Sequence, residues 1–161
     1  MRHAKSDWSD YGAADYDRTL TDRGKRDAKK MGAWLRKKKM VPDLIVSSPA
    51  ARAERTALIV SRETGFDPEQ ISRDARIYDA SLEVLLEVVS AHAKDTGRIL
   101  LIGHNPGLEE LLDFLSRDPA EPNSAGKMLT TAAIAVLDYG PGPISTGKGV
   151  ARLVCLVRPR D

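Results

Sequence analysis

Arg98-Ile99-Leu100-Leu101-Ile102-Gly103-His104-Asn105-Pro106-Gly107-Leu108-Glu109-Glu110-Leu111-Leu112 decides how this chain folds. The four apolar residues Ile99 to Ile102 are too few for a helix and read as a short strand covered on both sides, the kind found in parallel sheets. Pro106 and Gly107 then open a helix. Leu108, Leu111, Leu112 and Leu115 recur on one side of it, and Glu109 and Glu110 sit in the first turn, where the helix dipole favours acids. A strand that runs through a few residues into a helix is the building unit of α/β proteins. In open α/β sheets ligands bind outside the carboxyl ends of the strands, so His104 stands at a ligand position.

The same transition recurs upstream. Leu44-Ile45-Val46-Ser47-Ser48 is a second apolar run stopped by Pro49, and Ala53, Thr56, Ala57 and Val60 form a stripe up to about Thr64, with Gly65 as a helix end signal. A helix also follows Leu20-Thr21, with Thr21 as cap and Ala28, Met31 and Leu35 at helical spacing through Lys39. Ser81 caps another, patterned by Leu82, Leu85, Leu86 and Val89. Two last strands, about 132–138 and 150–157, flank a Gly/Pro-rich connection from Gly140 to Gly149 and predict an antiparallel pair. The expected fold class is α/β: a three-layer α/β/α sandwich with a mostly parallel central sheet and an antiparallel edge.

At 161 residues the chain suits a single domain, residues 1–161, long enough to bury a core without disulfides. Its net charge of +2 does not argue for nucleic acid, and no apolar stretch is long enough to cross a bilayer. The one cysteine, Cys155, lies in an apolar run and reads as strand packing. No signal peptide is visible, which points to the cytoplasm.

Three strand ends or loop starts carry the chemistry: Arg2-His3-Ala4, Ser47-Ser48-Pro49-Ala50-Ala51-Arg52 and Gly103-His104-Asn105. A neutral imidazole is a capable nucleophile toward phosphorus, and His3 is the candidate. The planar guanidiniums of Arg2 and Arg52 suit phosphate oxygens, and would meet the charge that spreads over them in the transition state. His104 would add a hydrogen bond. Arg52 falls at a helix start, where the dipole mildly disfavours a cation, and that mismatch supports an anionic partner. Ser6, Ser48 and Asn105 are further candidate substrate contacts. Ser47, Ser48 and Pro49 read equally well as strand-end and helix-start chemistry. His92 falls near the apolar stripe of the third helix and reads as packing.

These motifs, with Leu20-Thr21-Asp22-Arg23-Gly24 and the continuation Ala53-Glu54-Arg55-Thr56-Ala57, resemble in order and context those of the histidine phosphatase superfamily, the phosphoglycerate-mutase-like fold. The short length and Arg2-His3-Ala4-Lys5-Ser6-Asp7-Trp8 are most similar to the SixA-type phosphohistidine phosphatases. The resemblance implies that His3 becomes phosphorylated, that Arg2, Arg52 and His104 line the phosphate pocket, and that neither metal nor other cofactor is needed. The family usually has glycine where this chain has Ala4, and places a whole strand before the Arg-His pair where only Met1 stands here. The expectation is therefore that the first central strand of the pattern is either missing or unnumbered before Met1.

Larger relatives carry a glutamate that protonates a leaving alcohol. No residue here matches it, and Asp79 and Glu83 are the nearby candidate donors. Phosphohistidine needs less help, since its imidazole leaves neutral once the distal nitrogen is protonated. The short chain also implies an open pocket that a phosphorylated protein side chain can enter. The leading expectation is a metal-independent phosphatase acting on phosphohistidine in a protein. The alternatives are a small-molecule phosphomonoesterase with the same site, and a non-catalytic phosphate-binding module.

Overall fold

The computed structural model describes residues 1–94 and 96–160. Three parallel strands, β1 (Leu44–Ser47), β2 (Ser72–Arg73) and β3 (Ile99–Ile102), pair in the order β2-β1-β3. Four helices accompany them: α1 (Asp22–Lys37), α2 (Ala51–Thr64), α3 (Leu82–His92) and α4 (Gly107–Leu115). Strands β4 (Ile134–Asp138) and β5 (Arg152–Val157) form the antiparallel pair that the Gly/Pro-rich connection predicts. No helix among the described residues is long and apolar enough to cross a membrane.

Alternation along the strands divides the interior in two. Ile45, Leu100 and Ile102 face a core built with Met31 and Leu35 of α1 and Ala53, Ala57 and Val60 of α2. Val46 faces the other, with Leu85 and Val88 of α3 and Leu108, Leu111, Leu112 and Leu115 of α4. This is the expected three-layer arrangement. The signals that start and stop the helices also act as read: the Thr21 hydroxyl accepts from the Gly24 N–H, Ser81 accepts from Val84, and Gly65 ends α2 at φ +81°.

The segment Met1–His3 knits the two sheets together. The Met1 nitrogen donates to the Leu101 carbonyl at 2.8 Å, and Arg2 pairs in parallel with Gly103 at the end of β3. On its other side Arg2 N–H donates to Ala133 and Ala132 N–H donates to the His3 carbonyl, both at 3.1 Å. His3 is thereby held beside the exit of β3, immediately before His104. Ala4, which follows, is fully buried and is not among the positive-φ residues, so alanine serves where the family usually has glycine. At Gly24 the room is tighter: a Cβ there would collide with the Lys5 carbonyl oxygen, so α1 packs directly on the backbone that follows His3.

Candidate active site

Each site residue sits where a secondary element begins or ends. Arg2 and His3 lie beside the carboxyl end of β3, Ser48 follows β1, Arg52 is in the first turn of α2, and His104 and Asn105 link β3 to α4. Thr56, one turn into α2, ties two of these together. Its hydroxyl accepts from the Ala4 N–H at 3.0 Å and donates to the Arg52 carbonyl at 2.7 Å.

The two imidazoles meet, with ring centroids 5.1 Å apart. His3 Nδ1 lies 2.8 Å from the Ala4 carbonyl oxygen, which can only accept, so Nδ1 carries the proton and Nε2 keeps its lone pair. Arg52 Nε–H points at that lone pair from 3.3 Å. His104 Nε2 lies 2.8 Å from Ser48 Oγ, and that oxygen also accepts from the Ala50 N–H. On the other flank, Arg2 Nη1 and Asn105 Nδ2 both donate to the Leu129 carbonyl, at 2.9 and 3.0 Å. The Leu129 N–H is in turn taken by Glu109.

Charge is concentrated and poorly solvated. His3 is 8% exposed and Arg52 5%. Burial pushes the His3 imidazole down to about 3; the Ala4 carbonyl works against this, and His104, Arg52 and Arg2 add to it. His104 falls to about 4, first through burial and then through Arg52. Both rings are therefore neutral in the folded protein at neutral pH, whereas an unfolded chain protonates them near 6.5. Below that value the unfolded state binds protons that the folded state refuses, so stability declines as pH drops from 6.5 toward 4. We expect a urea unfolding series from pH 7 to 4.5 to show a falling midpoint, with each ring contributing at most about 1.4 kcal/mol per pH unit. A flat midpoint over that range would contradict the buried, neutral pair.

Three residues that sequence reasoning missed complete the site. Asp15, in a 3-10 turn spanning Asp15–Asp17, is a hub. Its Oδ2 accepts from the Tyr78 hydroxyl at 2.7 Å and from Arg52 Nη2 at 3.1 Å, while Oδ1 accepts from Arg18 Nη2 at 2.7 Å and Nε at 3.1 Å. The Tyr78 hydroxyl, followed by the Arg18 and Arg52 guanidiniums, holds this carboxyl well below the usual carboxylate range. Tyr78 stacks edge-on against His104 at 5.5 Å, and Asp15 raises the affinity of its phenol for the proton. Arg18 is itself buried.

The structure separates the remaining candidates. Ser6 Oγ accepts from Arg18 Nη1 at 2.8 Å, which makes it a support for Arg18. Asp79 is exposed, at φ +52°, and among the described residues it makes no hydrogen bond. Glu83 lines a separate groove with Glu110 and Lys148. Neither carboxyl comes within hydrogen-bonding distance of His3, Arg2, Arg52 or His104, because Asp79 turns outward and Glu83 follows the exposed face of α3. His92, read as packing, bonds Asp74 at 3.1 Å.

Four side-chain atoms among the described residues are buried without a hydrogen-bond partner, and three of them are here: Arg2 Nε, His104 Nδ1 and Asn105 Oδ1. Native interiors rarely leave such groups unpaired, and clustered orphans mark a place for a ligand. Arg2 Nε is a donor, and His104 Nδ1 becomes one when Ser48 donates to Nε2, so the site suits a tetrahedral oxyanion. No group of three or more His, Cys, Asp or Glu among the described residues could hold a metal ion.

The chain is similar to known proteins along most of its length. Residues 1–78 match the histidine phosphatase superfamily, branch 1. An uncharacterized protein of Mycobacterium tuberculosis is 33% identical over 165 residues, covering 99% of this chain and 100% of its own length. An uncharacterized chloroplastic protein of Arabidopsis thaliana is 32% identical over 124 residues, 72% of this chain and 57% of its own. Among solved structures, a candidate phosphohistidine phosphatase SixA from Agrobacterium tumefaciens superposes with a TM-score of 0.81 at 28% identity, over 99% of this chain and 95% of that one. With its motifs, its fold and these relatives in agreement, the chain belongs to branch 1 of the histidine phosphatase superfamily.

Proposed function

We propose that this protein is a phosphatase that removes the phosphoryl group of phosphohistidine in a protein through a phosphorylated His3. The observation that carries the reading is a neutral His3 whose Nε2 is bare of a proton and faced by Arg52 Nε–H at 3.3 Å, with the ring of His104, whose Nδ1 has no partner, 5.1 Å away. The Nε2 lone pair attacks phosphorus. The P–N bond of the substrate breaks, and its electron pair returns to the departing imidazole, which leaves neutral because its other nitrogen holds a proton. As the new P–N bond forms, His3 gains positive charge, and the Ala4 carbonyl at Nδ1 stabilises it. Arg52 Nε–H, released from the lone pair, turns to a phosphoryl oxygen. Water then attacks the phosphoryl-His3, giving inorganic phosphate and the free imidazole, with the surplus proton passing to solvent.

The protic groups of the pocket favour an N–P substrate over a phosphomonoester. An alkoxide needs a proton from the enzyme, yet Asp15 is held ionised and Tyr78 is a weakened acid, spending its proton on Asp15. Matched phosphohistidine and phosphoserine peptides test this directly. The expected result is a kcat/KM at least about 100-fold higher for phosphohistidine, the lower end of what a missing general acid costs. Equal values, or a preference for phosphoserine, would give the site to phosphomonoesters.

A further inference from the structure

A second, cationic groove opens beside the first. A cavity of about 360 Å³ is lined by Arg2, Lys5, Arg23, Lys127, Arg158 and Arg160. No carboxylate is among its described lining residues. For a chain of net charge +2, six cations around one groove is a strong local bias. The groove shares Arg2 with the phosphoryl site, and Thr130 and Thr131, just before the Ala132 N–H that donates to the His3 carbonyl, line it too.

The cations are placed rather than scattered. Arg158 donates to the Met128 and Glu121 carbonyls at 3.0 and 2.6 Å, and Lys30 Nζ donates to the Pro159 carbonyl, which fixes the Arg158-Pro159-Arg160 segment along the groove. Asp27 offsets Arg160 at 3.5 Å and Arg23 at 3.9 Å. Lys5 and Lys127 have no carboxylate at ion-pair distance among the described residues. Among the described residues the lining includes no aromatic ring on which a base could stack, which disfavours single-stranded nucleic acid.

We infer that this groove binds an acidic segment of the phosphoprotein substrate, seating Asp or Glu side chains next to the phosphohistidine while its phosphoryl group meets His3. The inference rests on the proposed function and adds a basis for choosing among phosphohistidine proteins: local acidity sets the encounter rate and the register. It also gives Arg2 two roles, with its orphaned Nε available to the phosphoryl group and its position at the mouth of the groove.

The test uses two phosphohistidine peptides of equal length, one flanked by Asp and Glu, the other by Asn and Gln. For the unaltered protein we expect the acidic peptide to have about tenfold higher kcat/KM at low salt, a ratio that shrinks as salt is added. Lys127→Glu, at an exposed position, and Lys5→Gln should each bring the ratio toward one. A ratio near one in the unaltered protein, or one that neither substitution moves, overturns the inference. Fluorescence anisotropy with the unphosphorylated acidic peptide keeps the two proposals apart. Binding that Lys127→Glu weakens supports the groove even if neither peptide is hydrolysed, a result that would count against the phosphatase reading alone. Tighter binding of a single-stranded oligonucleotide than of the acidic peptide would assign the groove to nucleic acid and overturn the inference.

Discussion

His3→Ala is expected to lower turnover of a phosphohistidine substrate by about 10⁴-fold or more, the scale on which loss of a nucleophile is felt. Acid quenching should trap no phosphoenzyme. The expectation follows from the hydrogen bonds of one ring. With Nδ1–H committed to the Ala4 carbonyl, Nε2 is the only nitrogen of His3 with a lone pair to give. The neighbouring His104 is no substitute, because its Nε2 is engaged with Ser48 Oγ. A loss of fold is separable from a loss of chemistry here. His3 is a buried group that resists protonation, so the variant should be less sensitive to acid unfolding than the unaltered protein, although it is inactive. Turnover within tenfold of the unaltered protein, or a phosphoenzyme that still forms in His3→Ala, would remove His3 from the role of nucleophile.

Much of this molecule is legible in the chain because its signals are local. Ile99 to Ile102 with Gly103 and His104, and Leu108 to Leu115, declare a strand, a turn and a helix within eighteen residues of sequence, and the structure places β3 and α4 there. The same holds for α2 with its Gly65 stop and for the caps Thr21 and Ser81. Strand β2 was not legible. It is two residues long, Ser72 and Arg73, and exists only because β1 offers an edge to pair with. A pattern of period two needs more residues than that to show itself.

The site divides along the same line. Arg2, His3, Arg52 and His104 each mark a junction between elements, so their positions can be read from the elements themselves. Asp15, Arg18 and Tyr78 lie on irregular backbone, and they join the site through long-range bonds such as Tyr78 to Asp15, 63 positions apart. Nothing periodic precedes them. The one sequence signal available was the charged run Asp15-Tyr16-Asp17-Arg18 just before the Thr21 cap, and it reads as an ordinary polar loop until its partners are known. Ser6 shows a different gap, since a serine near a candidate nucleophile suggests a phosphate contact, whereas the structure shows its oxygen accepting from Arg18, a long-range partner that the sequence does not announce.

Arg52→Lys is expected to cost about 10² to 10³ in kcat/KM, although charge is preserved, because the guanidinium acts through shape. Its three nitrogens do three things at once: Nε faces His3 Nε2 at 3.3 Å, Nη1 donates to the Asp15 carbonyl at 2.6 Å, and Nη2 donates to the Asp15 carboxylate at 3.1 Å. A lysine has one nitrogen at the end of a flexible stem. If that nitrogen stays with Asp15, nothing is left to meet the phosphoryl oxygens; if it turns to the substrate, the Asp15 turn loses an anchor. The defect should fall mainly on kcat, because the charge it serves is greatest in the transition state. Arg52→Ala adds an independent readout. Arg52 is one of the charges that keep both imidazoles from taking up protons, so its removal should raise the His3 and His104 titration midpoints seen by NMR, while burial still holds them below 6.5. Midpoints that stay in place, together with a kcat/KM within threefold of the unaltered protein in Arg52→Lys, would show that the guanidinium neither faces the imidazoles nor meets the phosphoryl group.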